Sequence, residues 1–179
     1  MTLRPEVSIR PERPADVDQI RALNEAAFGR PGEALLVDQL RASDAFIPDL
    51  SLVAVATGGR ILGHVLISWV DLSDDNAGTT RRVLSVAPLA VLPEWQKLGI
   101  GGALMEAGIA AAEAHHEPML VLVGHASYYP RFGFEPARAS GIEPPDPNWG
   151  DAHWMIRRLS AWDPSIRGRV VYPPAFDGL

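Results

Sequence analysis

Apolar residues recur along this chain with two periods, and the changes between them divide it into elements. Val7-Ser8-Ile9-Arg10 alternates, as a half-buried strand does. Pro14 then suits the first turn of a helix, with Asp16 near its positive end. Val17, Ile20, Leu23 and Ala27 lie close to one helical face, and the stretch from Gly29 to Gly32 interrupts it. A second helix is predicted from Glu33 to Ala42, with Leu36, Val37 and Leu40 as its buried stripe. Strands are predicted from Ser51 to Ala56, ending at the hairpin signal Gly58-Gly59, then from Arg60 to Leu72 and from Arg81 to Leu92. Ser73 to Thr80 reads as a polar turn between the last two. The helical period returns from Leu98 to His116, with Ile100, Ala103, Leu104, Ala107 and Ala111 inward and Glu106 and Glu113 outward.

Met119 to Val123 is wholly apolar, consistent with a central strand parallel to its predecessor. Strand, helix and strand make a βαβ unit, expected to be right-handed. Ser127 to Phe132 reads as a short helix, Gly133-Phe134 leads into a strand, and His153 to Leu159 is the last clear strand. Ser140 to Gly150 is predicted to be a surface loop. The segment from Trp162 to Leu179 is too rich in proline for regular structure, but its Trp162, Val170, Val171, Tyr172 and Phe176 are expected to pack on the body. With no repeat and no long linker, residues 1–179 read as one α/β domain ending in a packed irregular tail over 160–179.

The composition is that of an ordinary globular chain, and no apolar run is long enough to span a bilayer. The N-terminus lacks the apolar core of a secretory signal. With no cysteine there is no disulfide framework, thiolate nucleophile or thiolate metal site, and a cytoplasmic location is expected. A net charge of −6 argues against nucleic-acid partners. It leaves room for a small anionic ligand, because oriented backbone amides hold an anion locally. His115-His116 suits a helix C-terminus, and His64 and His153 stand alone on strands, so no metal is expected.

The chemistry concentrates in residues 89–105. An apolar strand through Leu89-Ala90-Val91 meets a proline turn and a glycine-rich helix entry, Gln96-Lys97-Leu98-Gly99-Ile100-Gly101-Gly102-Ala103. Such an entry offers several backbone N–H groups at a positive helix end, a site for phosphate oxygens. The competing reading is a βα turn whose glycines only permit tight packing. A dinucleotide or P-loop site is disfavoured, because Gly99-Ile100-Gly101-Gly102 has neither spacing.

These residues resemble the GNAT superfamily of acyl-CoA-dependent N-acyltransferases. Leu89-Ala90-Val91 followed by Gln96-x-x-Gly99-x-Gly101 is similar to its acetyl-CoA signature, (Q/R)-x-x-G-x-(G/A). Tyr128-Tyr129-Pro130-Arg131-Phe132-Gly133-Phe134 is similar to its later Y-x-x-x-G-F element. The resemblance covers roughly residues 7–159. Gly124-His125, Glu33-Ala34-x-Leu36-Val37 and the Val-Val-Tyr-Pro tail point to the YhbS-like subgroup. It implies a central, mostly antiparallel sheet with one splayed parallel pair and flanking helices. The implied ligands are acetyl-CoA and an unidentified amine acceptor, a small molecule or a protein amino group, on a monomer or homodimer. Leu89 and Val91 would pair with the pantetheine arm, and amides from Gln96 to Ala103 would hold the pyrophosphate. Lys97 either adds charge or is simply solvated.

The same resemblance offers Tyr129 as proton donor to the departing thiolate, against a plain packing role, with Tyr128 structural. Relatives often carry a carboxylate on the strand before the signature, and Val83 to Pro88 has none. Glu33, on the apolar face of its helix, is one substitute base, against simple stabilisation of the helix start. His125 is another, against a role in orienting its loop. Trp69, Asp71 and Trp149 could line an acceptor pocket, and acceptor specificity is expected in the Glu33 region, the Trp69 strand end and the Pro144 loop. The alternative to an acetyltransferase is a catalytically weak or inactive module that binds or senses acyl-CoA.

Overall fold

The alternating segments build a larger sheet than the sequence pattern predicts. The computed structural model describes residues 5–177. Among these described residues nine strands form one sheet: β1 (Val7–Pro11), β2 (Ser51–Ala56), β3 (Ile61–Asp74), β4 (Thr79–Val91), β5 (Met119–Val123), β6 (Glu135–Pro136), β7 (Ile142–Glu143), β8 (Trp154–Arg158) and β9 (Gly168–Val171). The main path runs β1-β2-β3-β4-β5-β8-β6, with β9 joining β3 and β7. Pairing is antiparallel except at β4–β5 and β7–β9. Helix α3 (Ile100–Ala114) covers one face. Helices α1 (Val17–Phe28) and α2 (Gly32–Arg41) cover the other.

The helix starts follow their sequence signals. Pro14 opens a 3₁₀ turn before α1, and Asp16 accepts from the Arg13 amide at 2.7 Å and from Nη1 and Nη2 of Arg10. Helix α2 buries Leu36, Val37 and Leu40 as its spacing predicts. Helix α3 is turned slightly from the expected face. Its buried set is Ile100, Leu104, Met105, Gly108 and Ala112, while Ala103, Ala107 and Ala111 are half-buried. Two glycines set that orientation. A Cβ at Gly108 would lie 2.9 Å from Ile67, and one at Gly63 would lie 2.8 Å from Leu104.

Four expectations need correction. The β3–β4 ladder continues to Asp74↔Thr79, so the polar turn shrinks to residues 75–78; where both faces of a ribbon meet water, alternation gives no signal. The C-terminal segment is not wholly irregular, since Gly168–Val171 is a strand whose Val170 pairs with Leu72. The 140–150 loop contributes β7, which pairs with that strand. His64 is not isolated either: it is fully buried, with Nδ1 3.3 Å from Asn24 and Nε2 3.0 Å from Ser51.

One irregularity prepares the site. Val65 opposes Leu89 and Ile67 opposes Val86, so Ala87 and Pro88 both face Leu66. This bulge bends β4, as an extra residue in one strand must. Its parallel pairing with β5 is confined to Leu84↔Leu120 and Ser85↔Val121. Beyond that point the two strands part.

Candidate active site

The parted strands leave a row of peptide groups unclaimed. Leu92 donates to Leu62 on β3 at 3.0 Å, so by the strand's period of two Ala90 also faces β3. The peptide groups of Leu89 and Val91 therefore face the opening toward β5. Both residues line a groove of about 820 Å³ that runs past the start of α3. Ala90 points away, its side chain packed in the core under α1 and α2; it belongs to the strand, not to the groove.

The turn into α3 is fastened at both ends and open between them. Trp95 donates to Leu92 at 2.8 Å and Gln96 to Pro93 at 3.3 Å. The Gln96 side chain donates to the Val91 carbonyl at 3.1 Å, tying the turn to the end of β4. At the other end Ala103 donates to Gly99 at 3.0 Å, the first bond of the helix. The six amides of residues 97–102 between these points donate to no described residue. Lys97 and Gly99 adopt left-handed φ values of 62° and 86° around Leu98. That alternation turns successive N–H groups to one side, making a concave anion nest at a positive helix end. Gln96 and Ala103, expected among the phosphate-binding amides, have theirs committed. Ile100 offers its amide while its side chain is core. Leu98 is half-buried and does not line the groove.

Tyr128, Tyr129 and Arg131 form the opposite wall. The Arg131 guanidinium lies 4.5 Å from the Tyr128 ring centroid, and its Nε donates to the Tyr128 carbonyl at 2.9 Å. With Lys97 it gives the groove two cations. Arg131 has no role in the sequence reading; its place in the tyrosine motif was the available signal. The Tyr129 ring stands edge-on to Tyr128 and Phe134, with centroids at 5.0 and 5.8 Å. Burial, with Tyr128 beside it, pushes its hydroxyl pKa up to about 12.

A second cavity of about 550 Å³ meets the groove at Leu89, His125 and Tyr129. Phe28, Leu36, Trp149, Tyr172 and Phe176 wall it, and Glu33 is its carboxylate. Glu33 is buried on the apolar face of α2, as its spacing predicts, but it is not a lone acid. Arg30 donates to it with Nε at 3.1 Å and Nη2 at 2.6 Å. His125 is exposed and lines both spaces, while its carbonyl accepts from Tyr128 at 2.9 Å and starts the tyrosine turn. Its main chain orients the loop whatever its ring does. Trp69, Asp71 and Pro144 lie outside the second cavity, and Trp149 lines it. Tyr172 and Phe176 escaped the sequence reading as site residues because only the return of the C-terminal segment to β3 brings them here. Among the described residues no cluster of three metal-ligating side chains occurs.

The forked sheet, the open amide nest and the tyrosine between two cavities sit in a chain that resembles known proteins over most of its length. The family model for an acetyltransferase (GNAT) domain matches residues 49–136. The N-acetyltransferase YjhQ of Escherichia coli K12, itself uncharacterised, is 35% identical over 159 residues, 87% of this chain and 86% of its own. The chain belongs to the GNAT acetyltransferases. Two solved structures of this family extend the match. The YhbS protein of Escherichia coli in complex with CoA superimposes with a TM-score of 0.86 over 99% of this chain and 95% of its own, at 28% identity. A GNAT family acetyltransferase from Brucella melitensis in complex with acetyl-CoA gives 0.77 over 96% of this chain and 99% of its own, at 32% identity. No helix among the described residues is long and apolar enough to cross a membrane.

Proposed function

We propose that the protein transfers the acetyl group of acetyl-CoA to an amine by direct attack on the thioester. The observation that carries this reading is the run of six uncommitted amides, residues 97–102, on a groove that meets a second cavity at Tyr129. The nest suits the pyrophosphate, and Lys97 and Arg131 add positive charge beside it. The peptide groups of Leu89 and the N–H of Val91, unpaired with β5, suit the amides of an extended pantetheine arm, which adds to a sheet edge as a strand does. The arm then leads toward Tyr129, and the second cavity holds the amine. Bound acetyl-CoA supplies an activated carbonyl and a thiolate leaving group.

The new N–C bond forms as the C–S bond breaks, its electron pair leaving with sulfur, and the amine gives up a proton. An ammonium of pKa about 10.4 is roughly 0.04% neutral at pH 7, so deprotonation costs about 4.6 kcal/mol. Glu33 and His125 are the groups in the second cavity able to receive that proton. Glu33 does so only by loosening its Arg30 pair, which leaves the exposed His125, through water, as the simpler route. Tyr129, with its pKa near 12, remains protonated at neutral pH. Full transfer of its proton to a thiolate whose own pKa is about 8.5 is uphill by about 5 kcal/mol. Tyr129 therefore steadies the sulfur by donating a hydrogen bond.

Calorimetry with Gly101→Trp tests the nest. A Cβ at Gly101 already comes within 3.0 Å of the Tyr128 hydroxyl, and an indole fills the groove at the helix entry. The acetyl-CoA Kd is expected to rise at least tenfold, about 1.4 kcal/mol, with the circular dichroism spectrum retained. An unchanged Kd rejects the nest as the phosphate site. Tight acetyl-CoA binding by the wild-type protein, with no transfer to any amine, turns the reading to an acyl-CoA-binding module.

A further inference from the structure

On the reading just proposed, the second cavity receives the amine, and its lining restricts which amines fit. We infer that the acceptor is a primary monoamine carried on an uncharged aromatic body. The walls are mainly hydrocarbon and ring faces. Tyr172 and Phe176 stack with centroids 4.3 Å apart and planes 13° apart, and Trp149 stands 6.2 Å from Tyr172. Flat rings pack well on such walls, and a cavity of about 550 Å³ lies within the usual range for small-molecule sites.

Charge narrows the class further. Among the described residues no lysine or arginine lines this cavity, and the one carboxylate that does, Glu33, is already held by Arg30. The other titratable groups facing it are His125, Tyr129 and Tyr172. A second ammonium, as in a polyamine or a basic peptide, would lose its water without gaining a free counter-charge. The carboxylate of a free amino acid meets the same obstacle. A single ammonium is different. The aromatic faces accept it during entry, and the apolar surroundings then favour its neutral form, the form that attacks.

The test follows thiol release from acetyl-CoA, and a chain with no cysteine gives the thiol reagent no background. The full-length protein is assayed with 2-phenylethylamine, tryptamine, spermidine, lysine and a lysine-rich peptide. The two aromatic monoamines are expected to exceed the other three in kcat/KM by at least tenfold. Phe176→Ala is expected to raise KM for 2-phenylethylamine roughly tenfold while the acetyl-CoA Kd stays within twofold. Preference for spermidine, lysine or the peptide overturns the inference and leaves the acetyltransferase reading standing. Acetyl-CoA binding without turnover of any of the five overturns it as well. Failure to bind acetyl-CoA removes both readings.

Discussion

Tyr129 packs its ring against the bare Cα of Gly124, so the tyrosine that lines both cavities is held by a residue without a side chain. A Cβ at Gly124 would lie 2.6 Å from Cδ2 of that ring and closer still to Cε2. Gly124 is itself fixed, donating to His153 at 2.9 Å while His153 Nδ1 lies 3.0 Å from its carbonyl. Backbone held this firmly cannot yield, so the ring must. Two variants separate the hydroxyl from its placement. Tyr129→Phe keeps the packing and removes the donor; kcat is expected to fall by roughly 10²-fold, with the acetyl-CoA Kd little changed. Gly124→Ala keeps the donor and displaces it, and kcat is expected to fall toward the same level with the fold retained. If both act on one hydrogen bond, the double variant is no slower than the worse single one, because coupled losses do not add. Additive losses in kcat, or a Tyr129→Phe enzyme with normal kcat, exclude this role for the hydroxyl.

At the scale of elements, the distance between α3 and the sheet decides where the nest sits. That distance is set by Gly63 on β3, where a Cβ would meet Leu104 at 2.8 Å, Ile100 at 3.0 Å and the Ala90 carbonyl at 3.2 Å. Gly63→Ala is expected to destabilise the fold by about 1–3 kcal/mol, the usual cost of overpacking, measured by urea denaturation. Because Ile100 opens α3, acetyl-CoA affinity should weaken as well; a variant as stable as the wild type shows that the helix simply shifts. Much of this architecture was legible in the chain. The 3.6 period located α1, α2 and α3, alternation located β1, strand-like runs between turn signals located β2 to β4, and the motif glycines marked the nest. What the pattern could not show is pairing at a distance. The short strands β7 and β9 carry too few residues to establish a period, and β9 owes its place to Asp71–Ser73, almost a hundred residues earlier. For the same reason the aromatic wall from Phe28, Trp149, Tyr172 and Phe176 assembles only in three dimensions; the Arg30 clamp on Glu33 is local, three residues away, but depends on the turn before α2 rather than on residue type. The uncommitted window of residues 97–102 is narrower than the motif because hydrogen bonds at each end of the turn are not written in residue types.

Across the whole molecule, one buried polar chain joins the sheet to both helices on its far face. The Asn24 amide of α1 donates to Nδ1 of His64, which leaves Nε2–H to donate to Ser51. Ser51 in turn donates to Glu12, which also receives Nε of Arg41 from α2 at 2.6 Å. Burial pushes the Glu12 carboxyl pKa up, but the neighbouring His64 and the donors Arg41 and Ser51 outweigh it and bring the pKa down to about 2. Burial is also the main reason that the His64 pKa is lowered, against the pull of Glu12. Both groups make the unfolded chain bind more protons than the folded one in acid, so stability must decrease as pH is lowered. The two losses occur in separate windows. His64 is neutral on both sides of the equilibrium above its unfolded value of 6.5, and its contribution is lost as pH falls below that point. Glu12 contributes fully above 4.5, on the order of 3 kcal/mol by linkage, and that contribution is lost between 4.5 and about 2. Urea denaturation at a series of pH values should therefore show a first decline starting near 6.5 and a steeper one below 4.5. His64→Gln keeps an acceptor for Asn24 and a donor for Ser51 but cannot titrate, so it should flatten the first decline and keep the second. A wild-type protein whose stability is level from pH 7 to pH 5 contradicts a buried neutral His64 and, with it, this account of how α1 is fastened to the sheet.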